Sequence, residues 1–182
     1  MNIRFGPLHS SISHPSTWTP PMAGYVKLNF DGGCIGHTFS GQGFAIRDHD
    51  GNILPAGVKH TKGAGTAIIE EVQACLYALE CTYAHGLRII IIEGLQLIQM
   101  LKSRSPTDSL ISFFLKDIFA FLANFDFYSF SFIKRWRNKV AHDLTHWQPI
   151  CLEGRLWTSD VLDTILAGAT DDMYIYINNN LI

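Results

Sequence analysis

Between Tyr25 and Asp31 the chain alternates: Val26, Leu28 and Phe30 are apolar, and Lys27, Asn29 and Asp31 beside them are polar. That period predicts a strand with one face on a core and the other on something polar, closing at Asp31 against Gly32 and Gly33. The glycine-rich stretch from Gly32 to Gly43 reads as a hairpin connection, with a second strand at about 43–48. Asp48-His49-Asp50-Gly51 is a turn signal, and a third strand follows over 52–59, where Pro55 implies an edge position or a bulge. These three form an antiparallel meander. Over 66–84, apolar side chains recur at Ile68, Val72, Cys75, Leu76, Leu79 and Tyr83, the spacing of a helix with a buried stripe, and Gly86 stops it. The run Ile89-Ile90-Ile91-Ile92 is β-branched without alternation, which predicts a strand covered on both faces, as in a parallel sheet. Helical segments at 95–103 and roughly 109–124 are broken at Ser105-Pro106. A fifth strand over 125–133 alternates Phe127, Ser129 and Ser131 against Tyr128, Phe130 and Phe132, and a last helix covers 138–147.

This order predicts an α/β fold, a five-stranded mixed sheet with helices on both faces. A right-handed crossover through the helix at 66–84 sets the first and fourth strands side by side and parallel, and brings Asp31 near the stretch from Glu93 to Leu95. Residues 1–17, rich in Ser, His and Pro and without periodicity, read as a flexible leader. The folded domain is expected over 18–148, with Trp18 as an anchor beneath Pro20-Pro21, and 149–182 forms a C-terminal extension that can add a short helix.

Composition narrows the function. With 182 residues, 47% hydrophobic and 16% charged, the chain can bury a core without staples, and a net charge of -2 excludes a broadly basic surface. Binding to nucleic acid therefore needs a local patch. Cys34, Cys75, Cys81 and Cys151 form no CxxC pair or zinc spacing, which suits a reducing compartment. No apolar run has membrane-spanning length and the first residues hold no signal-like segment, so a soluble intracellular monomer of cytoplasm or nucleus, with no membrane partner, is the expectation.

The candidate chemistry is acidic. Asp31, held at a strand end beside two glycines, suits a metal or phosphate site, and is equally an ordinary strand-to-turn boundary. Glu71 has Ala67, Ile68, Ala74 and Cys75 as helical neighbours, which puts it near the buried stripe, whereas Glu70 shares a face with Gln73, Tyr77 and Glu80. A buried carboxylate needs a partner, so Glu71 either ligates or pairs, or its helix is rotated to expose it. His142 and His146, at i and i+4, can bind zinc or simply be solvated. The basic run Lys134, Arg135, Trp136, Arg137, Asn138 and Lys139 can contact phosphates with Trp136 stacking on a base, or form solvated surface.

Several motifs in order carry a resemblance: WTPP at 18–21, GYVKLNFDGG at 24–33, GQGFAIRDHDGNI at 41–53, EVQACLYAL at 71–79, IIIIEG at 89–94 and RNKVAHDL at 137–144. From Trp18 to Trp147 the chain resembles the RNase H type-1 domain of the retroelement-derived, reverse-transcriptase-like proteins of plants. The resemblance implies an RNase H-like fold and a site of four carboxylates that binds two Mg²⁺, or Mn²⁺, and hydrolyses the RNA strand of an RNA/DNA hybrid. Clustered acids suit that chemistry, because hard cations prefer oxygen and two ions clamp the attacking and leaving oxygens. Asp31 matches the first family aspartate and Glu71 the helical glutamate, both as metal ligands. The third position is Leu95, which offers no ligand, and the fourth is His142, whose imidazole suits softer metals than Mg²⁺. Glu93 and Asp143 are the acids nearest to those positions. The residues thus imply a fold kept and a catalytic site eroded. The functions open at this point are a hybrid-specific endonuclease, a non-catalytic binder of RNA/DNA hybrid or double-stranded RNA using Lys134, Arg135 and Arg137, and a relic that keeps only its core.

Overall fold

The strand expected to close at Asp31 runs on through both glycines. In the computed structural model, which describes residues 18–103 and 109–158 together with 165, 167 and 169, β1 spans Val26–Ile35 and pairs antiparallel with β2, Phe39–Arg47. Their register sets Asp31 opposite Gly43 and Cys34 opposite Ser40, so Asp31 lies within the strand. The expected glycine loop is ladder, and only residues 36–38 turn, with Gly36 at φ 62°.

The glycines answer to close packing. A Cβ at Gly32 would stand 2.2 Å from the backbone carbonyl of Glu70, in helix α1 (Ala67–Ala84). At Gly41 and Gly43 a Cβ would stand 2.0 Å from Thr145 O and 2.4 Å from Thr145 N, in helix α4 (Lys139–Thr145). Both helices therefore rest directly on strand backbone, one on each face of the sheet.

Strand β3, Ile53–Lys62, completes the meander. Its register with β2 slips between Ala45 and Arg47, so Ile46 faces both Leu54 and Pro55, and the proline occupies the bulge. Helix α1 then crosses over to β4, Ile89–Gly94, which runs parallel to β1 with Asn29 opposite Glu93. Ile90 and Ile92 are fully buried, but Ile89 is exposed and Ile91 half-buried, so only one face of this strand is fully covered. Helices α2, Gln96–Ser103, and α3, Ser109–Leu122, lead to β5, Phe127–Phe132, parallel to β4. The break expected at Ser105-Pro106 lies outside the described residues, as do the leader 1–17 and most of the tail beyond 158.

The sheet has six strands, in the order β5-β4-β1-β2-β3-β6, not the expected five. The addition is β6, Arg155–Trp157, which comes from the C-terminal extension and pairs with Ala56–Val58 of β3. So short a strand carries no readable alternation. The extension is also tied down at His60: Cys151 N–H donates to its Nδ1 at 2.8 Å, and His60 N–H donates to Cys151 O at 2.9 Å. Ile165, Ala167 and Ala169 are helical, as the sequence allows.

Two cores result. Val26, Leu28 and Phe30 of β1 join Phe44, Ile46, Ile90 and Ile92 beneath α1, α2 and α3. On the other face, Ala45, Ala56 and Val58 meet Val140 and Leu144 of α4, Trp157 of β6, and Ile165 and Ala169. Among the described residues no helix is long and apolar enough to cross a membrane.

Gly43→Ala would force α4 away from β2, because the two nearest atoms it meets, Thr145 N and Ala141 O, are helix backbone. The expected loss is roughly 1–3 kcal/mol, the usual cost of overpacking, read as a lower urea midpoint with an unchanged m-value.

Candidate functional site

Asp31 lies on the face of β1 that α4 covers, and is 7% exposed. With α4 seated on Gly41 and Gly43, His142 reaches it: His142 Nδ1 stands 2.8 Å from Asp31 Oδ2. A carboxylate only accepts, so Nδ1 carries the hydrogen in this contact. One turn further along α4, Thr145 Oγ1 donates to the backbone carbonyl of Asp31 at 2.9 Å. Asp31 is thus gripped through both its side chain and its main chain by α4.

Glu71 points from α1 toward the end of β4 and is 3% exposed. Its Oε1 accepts from Leu95 N–H at 2.8 Å and its Oε2 from Gln96 N–H at 3.0 Å. These are the first donors of α2, where Leu95 occupies the cap position without a side-chain acceptor. Glu71 therefore caps α2 from another helix. Burial pushes its carboxyl up to about 7, with the backbone donors Leu95, Leu97 and Gln96 pulling the other way and the charge of Asp31 adding to the rise. Asp31 is thus near enough for its charge to act on Glu71, which also holds the Leu95 backbone.

The two acids nearest the missing positions are occupied elsewhere. Glu93 is 1% exposed; its Oε1 pairs with Lys27 Nζ at 2.8 Å, and its Oε2 accepts from Trp18 Nε1 and Asn29 Nδ2, each at 3.0 Å. Asp143 faces solvent, one residue round α4 from His142, and pairs with Lys139.

The basic run forms a 3-10 turn, Arg135–Arg137, ahead of α4. Lys134, Arg135 and Lys139 are exposed, Arg137 is half-buried, and Trp136 is 60% exposed with Lys134 Nζ 4.8 Å from its ring centroid. Asn138 turns inward: its Nδ2 donates to Phe30 O at 2.8 Å and its Oδ1 accepts from Asn29 Nδ2 at 3.3 Å. His142 and His146 lie 4.5 Å apart between ring centroids, and His146 Nδ1 contacts the carbonyl of its helical neighbour His142 at 3.0 Å.

One buried acid was not foreseen. Glu70, on the face of α1 that the sequence shares out to Gln73, Tyr77 and Glu80, is 4% exposed, and Gln42 Nε2 and Gly65 N–H both donate to it, at 2.9 and 3.1 Å. Its signal was hidden, since Gln42 lay in a stretch read as loop. A further acidic group, Asp48, His49 and Asp50, sits at the β2–β3 turn, where Asp48 Oδ1 accepts from the N–H groups of Asp50 and Asn52 at 2.9 Å. It lies just beyond Arg47, which ends β2 opposite Lys27.

The family model described as reverse transcriptase-like matches residues 29–148. No curated protein matches the chain. Among solved structures, RNase H1 from Halobacterium salinarum NRC-1 is 25% identical, with a TM-score of 0.62, covering 67% of this chain and 95% of its own. The N-terminal RNase H domain of a Mycobacterium tuberculosis protein is 16% identical, with a TM-score of 0.58 and coverage of 81% and 97%. LC11-RNase H1, crystallised in complex with an RNA/DNA hybrid, is 20% identical at a TM-score of 0.58, covering 66% and 94%.

Glu71 holds its proton more tightly in the folded chain than in the unfolded one, where the usual value is 4.5. The folded state then binds more protons between those values, so stability falls as pH rises from 4.5 to about 7 and levels off above. In Glu71→Gln this slope should vanish. The amide, like the protonated acid, offers the N–H groups of α2 one good acceptor, so the variant should match the unaltered chain at low pH and become the more stable of the two as pH rises toward 7 in a series of urea titrations.

Proposed function

We propose that this chain, which belongs to the reverse transcriptase-like family and has the RNase H-like fold, binds RNA/DNA hybrid without hydrolysing it efficiently. The reading rests chiefly on the contact of His142 Nδ1 with Asp31 Oδ2 at 2.8 Å, at the place where the resemblance calls for a fourth carboxylate.

Mg²⁺, or Mn²⁺, is the cation that the resemblance calls for, and Asp31 and Glu71 are the carboxylates left to hold it. The donor set fits poorly. Hard cations need several oxygen ligands, and a pair of them needs carboxylates that bridge. Here Leu95 supplies none, both oxygens of Glu71 accept from backbone N–H groups, and the imidazole of His142 occupies one oxygen of Asp31. Glu93 and Asp143 hold lysines instead. We derive no hydrolytic step through such ions.

Binding asks less of these residues. Duplex shape and phosphates are read by cations and aromatic surface, with 2′-hydroxyls distinguishing the RNA strand. Lys134, Arg135 and Trp136 stand exposed on the turn that enters α4, and Arg137 beside them, so a local basic patch precedes the helix that carries His142 although the whole chain is slightly acidic. Asn138 serves by holding that turn against β1 and not by reaching outward.

The test is hydrolysis of a labelled hybrid with Mg²⁺ or Mn²⁺, alongside titrations of hybrid and DNA duplex at several salt concentrations. The chain as it stands should bind hybrid in preference to DNA and release no product, and Leu95→Asp with His142→Asp should gain cleavage. Lys134→Ala or Arg135→Ala should each flatten the salt slope by about one. Cleavage by the unaltered chain that disappears in Asp31→Asn overturns the loss of catalysis, and equal affinity for hybrid and DNA overturns the choice of ligand.

A further inference from the structure

The two ends of the sheet are finished differently. Beyond β3 lies β6, an edge strand of only three residues, a common way of keeping an edge from pairing with other chains. At the other end stands β5, FYSFSF, which among the described residues pairs with β4 alone. It contains no proline, no charge and no bulge, three of the usual devices that blunt an edge.

The direction of its free bonds follows from the ladder. Phe127 N–H and Ile133 N–H donate inward, to Arg88 O at 3.2 Å and Gly94 O at 3.2 Å. The alternation of a strand then turns the N–H and C=O groups of Tyr128, Phe130 and Phe132 outward. The side chains of these residues share one face, where Phe130 is buried against Phe119 of α3, with ring centroids 6.3 Å apart, while Phe132 is 40% exposed. On α3, above the same face, Phe113 is 62% exposed.

The stretch from Asp126 to Lys134 is complementary to itself when reversed. We propose that β5 pairs antiparallel with β5 of a second copy of this chain, about a two-fold axis at Phe130, so that one sheet continues through a dimer. In that register Asp126 faces Lys134 of the other copy, Tyr128 faces Phe132, Ser129 faces Ser131 and Phe130 faces itself. Within the strand every outward residue, Tyr128, Phe130 and Phe132, meets an outward residue, so their N–H and C=O groups exchange bonds without change to the ladder with β4, while Asp126, whose N–H donates inward to Arg88 O at 3.0 Å, takes part through its side chain. Tyr–Phe neighbours and opposite charges directly across a strand pair are favourable combinations.

Charge selects this register. Asp126 and Lys134 are both exposed. A slip of the sum by two residues would set Lys134 against Asn124 or Tyr128, and Asp126 against Phe132 or Trp136, leaving every charge without its opposite. Lys134 now lies over the ring of Trp136, from which its flexible stem can reach across the strand end. An isologous contact of this kind closes on itself and stops at two copies. It replaces the monomer that the sequence alone suggests.

Sedimentation equilibrium of the full chain, without nucleic acid, tests this. The expected species is a dimer. Asp126→Lys and Lys134→Asp each set like charges across both strand ends, and each should raise the dissociation constant by about tenfold or more. Mixing these variants in equal amounts should restore a dimer, because each then supplies the charge that the other lacks. Phe132→Pro removes an N–H that points outward, so it should dissociate the dimer while circular dichroism stays that of the folded chain. A chain that sediments as a monomer at every concentration overturns the proposal. So does a dimer that survives both charge reversals, or variants whose mixture stays monomeric.

Discussion

The arrangement depends on a charge that water does not reach. Glu93 sits at the end of the central parallel strand, 1% exposed, and burying a carboxylate there is tolerable only because Lys27, Trp18 and Asn29 all converge on it. Each partner belongs to a different part of the chain or passes the connection on. Trp18 brings in the segment before β1 and carries Arg47 of β2 stacked 3.6 Å from its ring centroid. Asn29 reaches Asn138, which bonds the carbonyl of Phe30 and so fixes where α4 begins. With its start held there and its body resting on Gly41 and Gly43, α4 has little choice over where His142 lies. The geometry around Asp31 is thus set by residues that never touch it.

The same network shows how the acids nearest Leu95 and His142 are engaged. Proximity in sequence is not availability: Glu93 is consumed by the interior, and Asp143 stands about 100° round the helix, at the surface. Glu71 shows how a site residue acquires a structural duty. Because Leu95 cannot cap α2, the helix takes its acceptor from Glu71, and the carboxylate is drawn into holding backbone. An aspartate at position 95 would be a good cap as well as a ligand, so the leucine alters the work of its neighbour besides removing an oxygen.

Much of the fold was readable because periodicity survives wherever one face is buried. The alternation of Val26, Leu28 and Phe30, the stripe on α1 and the isoleucine run each correspond to a real element, and the parallel crossover follows from their order. The errors cluster where tertiary packing overrides local preference. Glycine reads as a turn, yet Gly32, Gly41 and Gly43 are strand positions selected by helices arriving from far along the chain, and no local pattern announces that contact. The burial of Glu70 was unforeseen for the same reason, since its partner Gln42 lay among those glycines. The approach of β1 to the end of β4 was legible from topology; the grip of His142 on Asp31 was not, because it depends on how closely α4 approaches the sheet.

The aromatic residue of the basic turn has a use apart from any contact it makes. Of the four tryptophans in the chain, Trp18 and Trp157 are buried, Trp147 is half-buried, and Trp136 alone is largely exposed. Indole emission shifts to the red in water, so the long-wavelength side of the intrinsic fluorescence belongs mainly to one side chain on the turn that enters α4. The protein carries its own optical reporter there. Events at the 3-10 turn can be followed without a label, against an interior signal from Trp18 that stays constant as long as the network around Glu93 holds.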